Sequence, residues 1–319
     1  MFNWLFKKNL SSQLGIDLGK SAIKIVELSK KDGRPYLSNY AMAQPISDDL
    51  QLTGLKNEEA AEVLKGLISR GQFSSRMASI SLPLEKTFST IMEIPSMPEK
   101  EIAAAVPYEA QKYVPVPIDE VVLDWSIIPK NSEPAPASDA AKPNSGSSAN
   151  QKSAIQIMVV AVPKEIIENL TKIAKLAGLE LLALEQEAFS LARSLVGPDS
   201  GTYLIADLGK QSADLIVVEQ GLVKLTHSLE QPSKESLLME IDHIVNLYQM
   251  RYNKKVGTCL LTGGRAAEYE IVEFLSAKLK IPSKIGEPLA RIGYSNALGA
   301  VAGELGLQLA VPIGLAMRE

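Results

Sequence analysis

Alternating apolar and polar residues near the start of the chain predict a β-hairpin. Residues 14–17 form a short apolar strand that ends in Asp17, and residues 22–28 alternate in the manner of a second strand. A polar turn separates the two, and a third strand is predicted over residues 34–43. The chain therefore begins with three consecutive strands, of which the first two are joined by a tight turn.

A helix and a fourth strand follow these three strands. Asn57 is predicted to cap a helix that ends near Gly71, because apolar residues recur at helical spacing between them. Residues 77–82 then alternate as a strand. Strands and a helix in this order indicate a first α/β lobe over residues 14–87, preceded by a leader at residues 1–13.

Residues 88–180 are predicted to form a smaller subdomain inserted into this lobe. Ser96 and Glu99 form a capping box that opens a helix running towards Tyr113, which Pro107 must kink or interrupt. The other predicted elements are strands at 88–94, 121–128 and 155–162 and an amphipathic helix at 164–177.

Residues 130–153 of this subdomain have a different composition. They are rich in Pro, Ala, Ser and Asn and contain no aliphatic residue larger than Ala. Such a segment cannot bury enough apolar surface to offset the entropy of ordering. A disordered, solvated loop is therefore predicted here.

The second half of the chain repeats the pattern of the first. Residues 181–200 are predicted to return to the first lobe and to supply a connecting helix, and residues 201–294 form a second lobe. The predicted elements are a strand at 181–184, a helix at 187–195, strands at 204–207, 213–219, 221–229 and 258–262, and helices at 233–252 and 266–279.

The last segment, residues 295–319, is predicted to contain a hinge helix and a C-terminal return to the first lobe. Residues 295–305 are mostly small, and Gly299 and Gly303 lower the helix propensity of this stretch. Close packing against another helix, as at a hinge between lobes, would compensate for that cost.

A repeated turn is the strongest chemical signal in the sequence. Asp17-Leu18-Gly19-Lys20 recurs as Asp207-Leu208-Gly209-Lys210, each time between two apolar strands. Glycine lets the backbone of a turn approach a ligand, and the turn amides can converge on phosphate oxygens. An Asp at the strand end suits a hard divalent cation. Either copy alone reads as an ordinary hairpin, but the pair predicts two related halves that hold a nucleotide between them.

A phosphate-binding P-loop is a rival interpretation of the first copy. That motif needs four residues between its glycines and a helix after it. Here three residues separate Gly15 from Gly19, and residues 22–28 alternate as a strand. The P-loop interpretation is therefore rejected.

Composition excludes several classes of protein. The chain has 319 residues, 46% of them hydrophobic and 22% charged, and a formal net charge of −4, which gives no reason to expect a nucleic-acid partner. Cys259 stands alone in an apolar run and is predicted to lie in the core, and two isolated histidines exclude a structural zinc site.

Residues 1–8 join apolar and aromatic residues to two lysines, so membrane-surface contact and an unstructured leader both stay open.

Five segments in order resemble the five signatures of the actin-like ATPase superfamily: 14–21, 185–194, 204–214, 260–266 and 295–303. Within that superfamily the chain resembles the PilM family, cytoplasmic actin-like proteins of type IV pilus assembly that are related to FtsA. The specific stretches are residues 15–28, 109–124 and 185–193. The resemblance implies an α/β actin-like ATPase fold of two lobes, with a small FtsA-like subdomain inserted in the first.

The resemblance also implies roles for individual residues. Asp17 and Asp207 would flank Mg²⁺, and Glu185 would orient an attacking water in relatives that hydrolyse ATP. The phosphates of ATP would lie at Gly19, Lys20 and Ser21 in the first turn. The remaining nucleotide-binding positions would be Gly209, Lys210, Gln211, Ser212, Gly263, Gly264 and Arg265, with Glu240 and His243 matching a ribose or adenine contact or else a solvated helix face.

As a function, the resemblance implies an ATP-binding scaffold with slow or absent turnover. It would capture the N-terminal cytoplasmic tail of a PilN-like inner-membrane protein and link it to pilus assembly ATPases. Such a protein is cytoplasmic and peripheral on the inner membrane, and a homo-oligomer is compatible with it. Two alternatives stay open: an FtsA-like filament, and a small-molecule kinase of the same superfamily.

Overall fold

The computed structural model describes residues 12–45, 55–129 and 154–318. The described chain divides into two units. Phe88–Lys164 form the small unit, and the chain before and after it forms the large unit. The predicted loop at 130–153 and the predicted leader up to residue 11 lie outside the described residues.

The first elements of the large unit agree with the apolar pattern. They are β1 (Ser12–Leu18), β2 (Ile23–Lys31), β3 (Arg34–Ala43), α1 (Asn57–Arg70) and β4 (Met77–Leu82). Antiparallel pairing joins β1 to β2 and β2 to β3, while β4 lies parallel to β1. The cap of α1 differs from the prediction. Lys56 is the N-cap residue, and its backbone N–H donates to the Glu59 carboxylate at 2.9 Å.

The small unit is a three-stranded antiparallel sheet with one helix. Its elements are β5 (Phe88–Pro95), α2 (Glu99–Ala110), β6 (Val121–Ile128) and β7 (Ala154–Pro163), in the sheet order β5-β7-β6. One apolar cluster joins the helix to the sheet and includes Met92, Ile102, Val106 and Ile157. Pro98 precedes α2 without a side-chain cap, and the helix continues through Pro107 to Ala110. The predicted interruption at Pro107 is therefore not seen.

The chain returns to the large unit at α3 (Lys164–Leu176), followed by β8 (Glu180–Gln186). Because β8 pairs parallel with β4, it completes the first sheet in the order β3-β2-β1-β4-β8. The small unit ends at Lys164, which differs from the predicted boundary at residue 180. The amphipathic pattern of α3 could not tell which unit its apolar face would join.

The second sheet has the same topology as the first. After α4 (Glu187–Leu191) and a π-helical turn at Ala192–Val196 come β9 (Thr202–Leu208), β10 (Ser212–Glu219), β11 (Leu222–Glu230), α5 (Lys234–Tyr252), β12 (Thr258–Thr262), α6 (Tyr269–Lys278) and β13 (Ser283–Ile285). Their sheet order is β11-β10-β9-β12-β13. Ser233 caps α5 as predicted, and Cys259 is fully buried. Each half thus has three antiparallel strands and then two parallel ones, which confirms the predicted duplication.

The end of the chain differs from the predicted hinge helix. A 3₁₀ segment covers Asn296–Val301, interrupted at Gly299 with φ 39°, and α7 (Ala302–Gln308) and α8 (Ala310–Ala316) follow. A Cβ added at Gly299 or Gly303 would meet nothing within 4 Å, so neither glycine serves close packing. No single helix in the described ranges is long and apolar enough to cross a membrane. The pair Asn296–Gln308 and Ala310–Ala316 reaches that length and composition only across an 86° bend.

Two other glycines let α8 pack at backbone distance. A Cβ on Gly15 of β1 would collide with the Pro312 carbonyl oxygen and lie 2.8 Å from the Ala316 nitrogen. On its other side, a Cβ on Gly314 of α8 would collide with the Ser190 carbonyl of α4. Every residue of α8 is buried. The helix is therefore held between β1 and α4, next to the strand that ends in Asp17.

Gly15→Ala should lower the free energy of unfolding by about 2 kcal/mol or more, because the backbone of α8 must shift to admit a methyl group. Urea unfolding of the full chain measures the loss. Gly66→Ala is the matched control, since Gly66 lies in α1 with open space around its Cβ position. That change should stabilise the protein by up to about 1 kcal/mol through helix propensity. Equal effects of the two changes would contradict the packing argument.

Candidate functional site

A cleft of about 280 Å³ lies between the turns of the two hairpins. Both turns belong to the large unit, and both contribute to its walls. From the predicted site the cleft is lined by Asp17, Gly19, Lys20, Ser21, Asp207, Gly209, Lys210, Gln211 and Ser212. The structure thus brings together the two turns that are predicted to bind phosphate, although their residues lie 190 positions apart in the sequence.

Asp17 is fixed on two sides at the end of β1. The residue is 3% exposed. One oxygen accepts a hydrogen bond from Ser81 Oγ at 3.0 Å, and the other lies 3.1 Å from Lys24 Nζ. The hairpin register explains the ion pair, because Asp17 and Lys24 are directly opposite each other on β1 and β2. Asp17 therefore keeps a defined orientation towards the cleft.

Lys24 compensates the charge of carboxylates from both halves. Burial by itself would lower the pKa of this ammonium, but Asp17, Asp207 and Glu187 outweigh that effect and the pKa is raised. The sequence analysis did not single out Lys24. Its position opposite Asp17 in a predicted hairpin is the signal that would have identified it.

The second hairpin places two acids where the first has an acid and a lysine. Asp207 is opposite Asp214 in the β9–β10 register. Burial raises the pKa of Asp207 to about 6, with Lys24 opposing and Asp17 adding to the shift. Burial and the charges of Asp207 and Glu85 raise the pKa of Asp214 to about 7, although the Ser228 hydroxyl opposes this. The Oδ1 atom of Asp214 is buried and has no hydrogen-bond partner within the described part of the chain.

Glu187 is a cleft carboxylate that the sequence analysis missed. It is the first residue of α4, and its carboxylate accepts a hydrogen bond from the Leu84 backbone N–H at 3.3 Å. Burial, followed by the charges of Asp17, Asp214 and Asp207, raises its pKa well above the usual range. Glu187 lies within the segment 185–193 that carries the family resemblance, two residues after the acid that was chosen.

Glu185, the predicted catalytic residue, does not line the cleft. It is buried near the end of β8, where both of its oxygens lie 2.8 Å from the Arg193 guanidinium and one lies 2.5 Å from Arg318. Two arginines thus neutralise Glu185 in a structural ion pair. The catalytic role of Glu185 stays a prediction, while in the same segment Glu187 is the acid that lines the cleft.

Lys20 is held by carboxylates at the mouth of the cleft. Its Nζ lies 2.9 Å from Glu85, in the 3₁₀ turn at Leu84–Lys86, and 3.5 Å from Glu230 at the end of β11. Desolvation would lower the pKa of Lys20, but these two acids outweigh it and the pKa is raised. A phosphate that binds Lys20 must therefore compete with Glu85 and Glu230.

The remaining predicted residues lie outside the cleft. Gly263 has φ 86°, and a Cβ there would collide with Asp207 Oδ1, so this glycine serves the approach of β12 to the second turn. Arg265 lies 3.8 Å from Glu268, and Glu240 lies 3.3 Å from His227 on β11. Gly264 faces open space. None of these four is among the residues that line the cleft, so their contact with the nucleotide stays a prediction.

The cleft chemistry fits a magnesium–phosphate group. Among the described residues, no cluster of three or more acids or histidines could hold a metal by itself. Mg²⁺ keeps several waters and binds through one or two carboxylates together with phosphate oxygens, which is the role available to Asp17 and Asp207. The buried, unpartnered oxygen of Asp214 would be a further hydrogen-bond acceptor beside such a group. Gly19 and Gly209 line the cleft, and backbone amides in turns of this kind can bind phosphate.

Comparison with known proteins agrees with this geometry. Residues 15–141 match the family model described as type IV pilus assembly protein PilM. The chain is similar to the solved PilM–PilN type IV pilus biogenesis complex, with 21% identity and a TM-score of 0.78 over 96% of this chain and 98% of that chain.

Two more distant structures share the fold. One is the ethanolamine utilization protein EutJ from Carboxydothermus hydrogenoformans, with 14% identity and a TM-score of 0.51 over 98% of this chain and 92% of that one. The other is the cytoplasmic domain of EpsL, an inner-membrane component of the type II secretion system of Vibrio cholerae. Its identity is 11% and its TM-score 0.53, over 97% of each chain. The chain has an actin-like ATPase fold, and its predicted resemblance to the PilM family is confirmed over residues 15–141.

Asp214→Asn should stabilise the protein at pH 8 in the absence of metal and nucleotide. The folded-state pKa of about 7 exceeds the usual 3.8, so the folded state binds more protons between these values and loses stability as the pH rises through them. The neutral Asn removes that loss. Thermal unfolding should therefore show a higher melting temperature than the parent at pH 8 and little difference at pH 4.

Asp199→Asn is the control of opposite sign. Asp199 accepts hydrogen bonds from the Gly201 N–H and the Tyr203 hydroxyl, and these lower its pKa. The ionised Asp199 carboxylate therefore stabilises the folded state above its usual pKa, and this stabilisation is lost as the pH falls. Asp199→Asn should accordingly lower the melting temperature at pH 8. A lower melting temperature of Asp214→Asn at pH 8 would contradict the account of the acidic cluster.

Proposed function

We propose that this protein is an ATP-binding scaffold of type IV pilus assembly. The observation that carries the proposal is that two Asp-Leu-Gly-Lys turns, one from each half of a duplicated fold, face a single cleft rich in buried carboxylates. The match to the PilM family supplies the biological context.

Within this proposal, the backbone amides of the two turns would bind the phosphates of ATP, and Asp17 and Asp207 would hold Mg²⁺. When bound, the metal neutralises phosphate charge. Lys24 balances the two aspartates on the protein side, since its ammonium already interacts with both. Lys20 exchanges Glu85 and Glu230 for a phosphate oxygen. Binding thus replaces ion pairs within the protein by ion pairs with the ligand.

Slow or absent turnover is consistent with the acids of the cleft. A general base must be deprotonated at the working pH. Glu187 is the carboxylate placed beside the turns, and its neighbours favour its protonated form. Glu185 has both oxygens engaged by two arginines and does not line the cleft. Neither acid is poised to activate water, so we expect the protein to hold its nucleotide and to act as a switch.

The proposed partner is the cytoplasmic N-terminal tail of a PilN-like inner-membrane protein. The supporting observation is similarity to the chain of a PilM–PilN complex along 96% of this chain. In this role the protein is cytoplasmic, is held at the inner membrane by its partner and connects that partner to assembly ATPases.

Asp207→Ala should weaken the binding of Mg-ATP more than tenfold, or by more than about 1.4 kcal/mol, because a carboxylate beside the metal is removed. Calorimetric titration of the full chain measures the affinity. Asp242→Ala is the control, since Asp242 lies on α5 and pairs with Lys280 away from the cleft. Unchanged affinity in a folded Asp207→Ala protein would refute the assignment.

Partner capture and nucleotide binding should be coupled. A peptide of the PilN-like tail is expected to bind with an affinity that ATP changes by about 5- to 150-fold, the usual range for linked sites. In Asp207→Ala, the peptide should still bind but no longer respond to ATP. Fluorescence anisotropy with a labelled peptide measures both. A tail peptide that does not bind refutes the scaffold role, and equal affinity with and without ATP refutes the switch.

A further inference from the structure

The 3₁₀ turn at Leu84–Lys86 is anchored in the core of the large unit at one end. Leu84 is buried in an apolar cluster with residues of β9, β10 and β12, and the turn also packs against β11. The Leu84 backbone N–H donates to the Glu187 carboxylate of α4 at 3.3 Å. The turn therefore contacts elements from both halves of the duplication.

The other end of this turn faces the cleft through Glu85, which lines it together with both predicted phosphate turns. The Glu85 carboxylate lies 2.9 Å from Lys20 Nζ, and the side chains of Lys20 and Glu85 are only 21% and 20% exposed. Glu230, the second acid beside Lys20, lies 3.5 Å away and its side chain is 82% exposed. Because solvent screens exposed ion pairs, Glu85 is the main partner of Lys20 and Glu230 a minor one.

We propose that the turn at Leu84–Lys86 senses whether phosphate occupies the cleft, with Glu85 as the sensing residue. The inference rests on the nucleotide-binding function proposed above and assigns its regulation to one side chain. Without a ligand, Lys20 holds Glu85 at the cleft. When Lys20 binds a phosphate, Glu85 is released and the cleft end of the turn loosens.

The first argument is competition for one ammonium. Lys20 lines the cleft between Gly19 and Ser21, two positions at which the phosphates are predicted to lie. An ammonium forms charge-assisted hydrogen bonds with phosphate as it does with a carboxylate. A phosphate at this turn therefore competes with Glu85 for the same N–H donors.

The second argument is charge repulsion. Glu85 shares the cleft with Asp17, Asp207 and Asp214. A phosphate adds negative charge to this cleft and at the same time takes Lys20 from Glu85. A partly buried carboxylate that loses its cation is destabilised, so Glu85 gains free energy by turning towards solvent.

The third argument is that few backbone hydrogen bonds hold the turn closed. The Lys86 N–H donates to the Pro83 carbonyl at 3.2 Å, and the Thr87 N–H donates to the Leu84 carbonyl at 3.3 Å. Bonds of this 3₁₀ type have poorer geometry than those of an α-helix, so loss of the Glu85 contact can open them while Leu84 stays anchored. The small unit begins with β5 directly after Thr87, so the chain enters that unit from the sensing turn.

Amide hydrogen exchange measured by mass spectrometry on the full chain tests this inference at the amides of Lys86 and Thr87. In the parent, Mg-ATP should raise their exchange rate about threefold or more, because local opening no longer has to break a partly buried ion pair. Mg-tripolyphosphate, which has the phosphates without the base, should act in the same way. Adenosine, which has no phosphate, should not.

Glu85→Gln removes the charge and keeps the shape of the side chain. In this variant the two amides should exchange without ligand as fast as those of the parent with Mg-ATP, and Mg-ATP should add no further change. Calorimetry should show Mg-ATP binding that is tighter by up to about fivefold, because Lys20 no longer has to leave a carboxylate.

Two control variants accompany Glu85→Gln. Glu230→Gln alters the exposed acid on the same lysine, so the exchange response to Mg-ATP should persist and the affinity should change less than about twofold. Glu62→Gln alters an exposed acid of α1 that pairs with Lys65, and it should change neither quantity.

The inference is wrong if Mg-ATP binds the parent and leaves the exchange of the turn unchanged or slows it. It is also wrong if Glu230→Gln abolishes the response while Glu85→Gln keeps it. In both cases the proposed function stands, because binding itself is intact. A parent that binds neither Mg-ATP nor Mg-tripolyphosphate overturns the proposed function and this inference together.

Discussion

The arrangement of the cleft depends on one buried ammonium. Lys24 lies among carboxylates from both halves of the chain, with Asp17 in direct contact and Asp207 and Glu187 close enough to raise its pKa. Several acids removed from water are tolerated only if a cation or bound protons compensate their charge. The raised pKa values of Asp207, Asp214 and Glu187 indicate that Lys24 alone does not suffice. A further cation would therefore stabilise the site, and the metal–phosphate group proposed above would supply one.

The duplication explains how these charges come together, and the packing of α8 explains why they stay in place. Each half ends its first strand with an aspartate at the same edge of its sheet, so the two turns can converge on one cleft. Backbone contacts at Gly15 and Gly314 hold α8 between β1 and α4, the two elements that carry Asp17 and Glu187. Close-packed interiors transmit displacement rather than absorb it. A displacement of the turn after β1 would therefore be transmitted through α8 to α4, because these elements are in backbone contact.

The places where the structure differs from the sequence predictions share a cause. Glu185 and Glu187 are both acids at a strand–helix junction, and only the position of Arg193 and Arg318 decides that the first is neutralised and the second faces the cleft. Gly299 and Gly303 were predicted to pack closely against another helix, yet the close backbone contacts occur at Gly15 and Gly314. The small unit ends at Lys164, whereas the predicted boundary was residue 180. An amphipathic helix such as α3 has an apolar face, but its sequence does not specify which unit that face packs against.

Local pattern was enough to predict the elements of both halves, the repeated turns and the pairing of Asp17 with Asp207, because strand periodicity and turn chemistry act over a few residues. The resemblance to the PilM family followed from the same short stretches. Tertiary structure alone decided which acids share the cleft and that Lys24 interacts with acids of both halves. Those features depend on contacts between residues distant in sequence, where burial and charge are set by neighbours that no local pattern specifies.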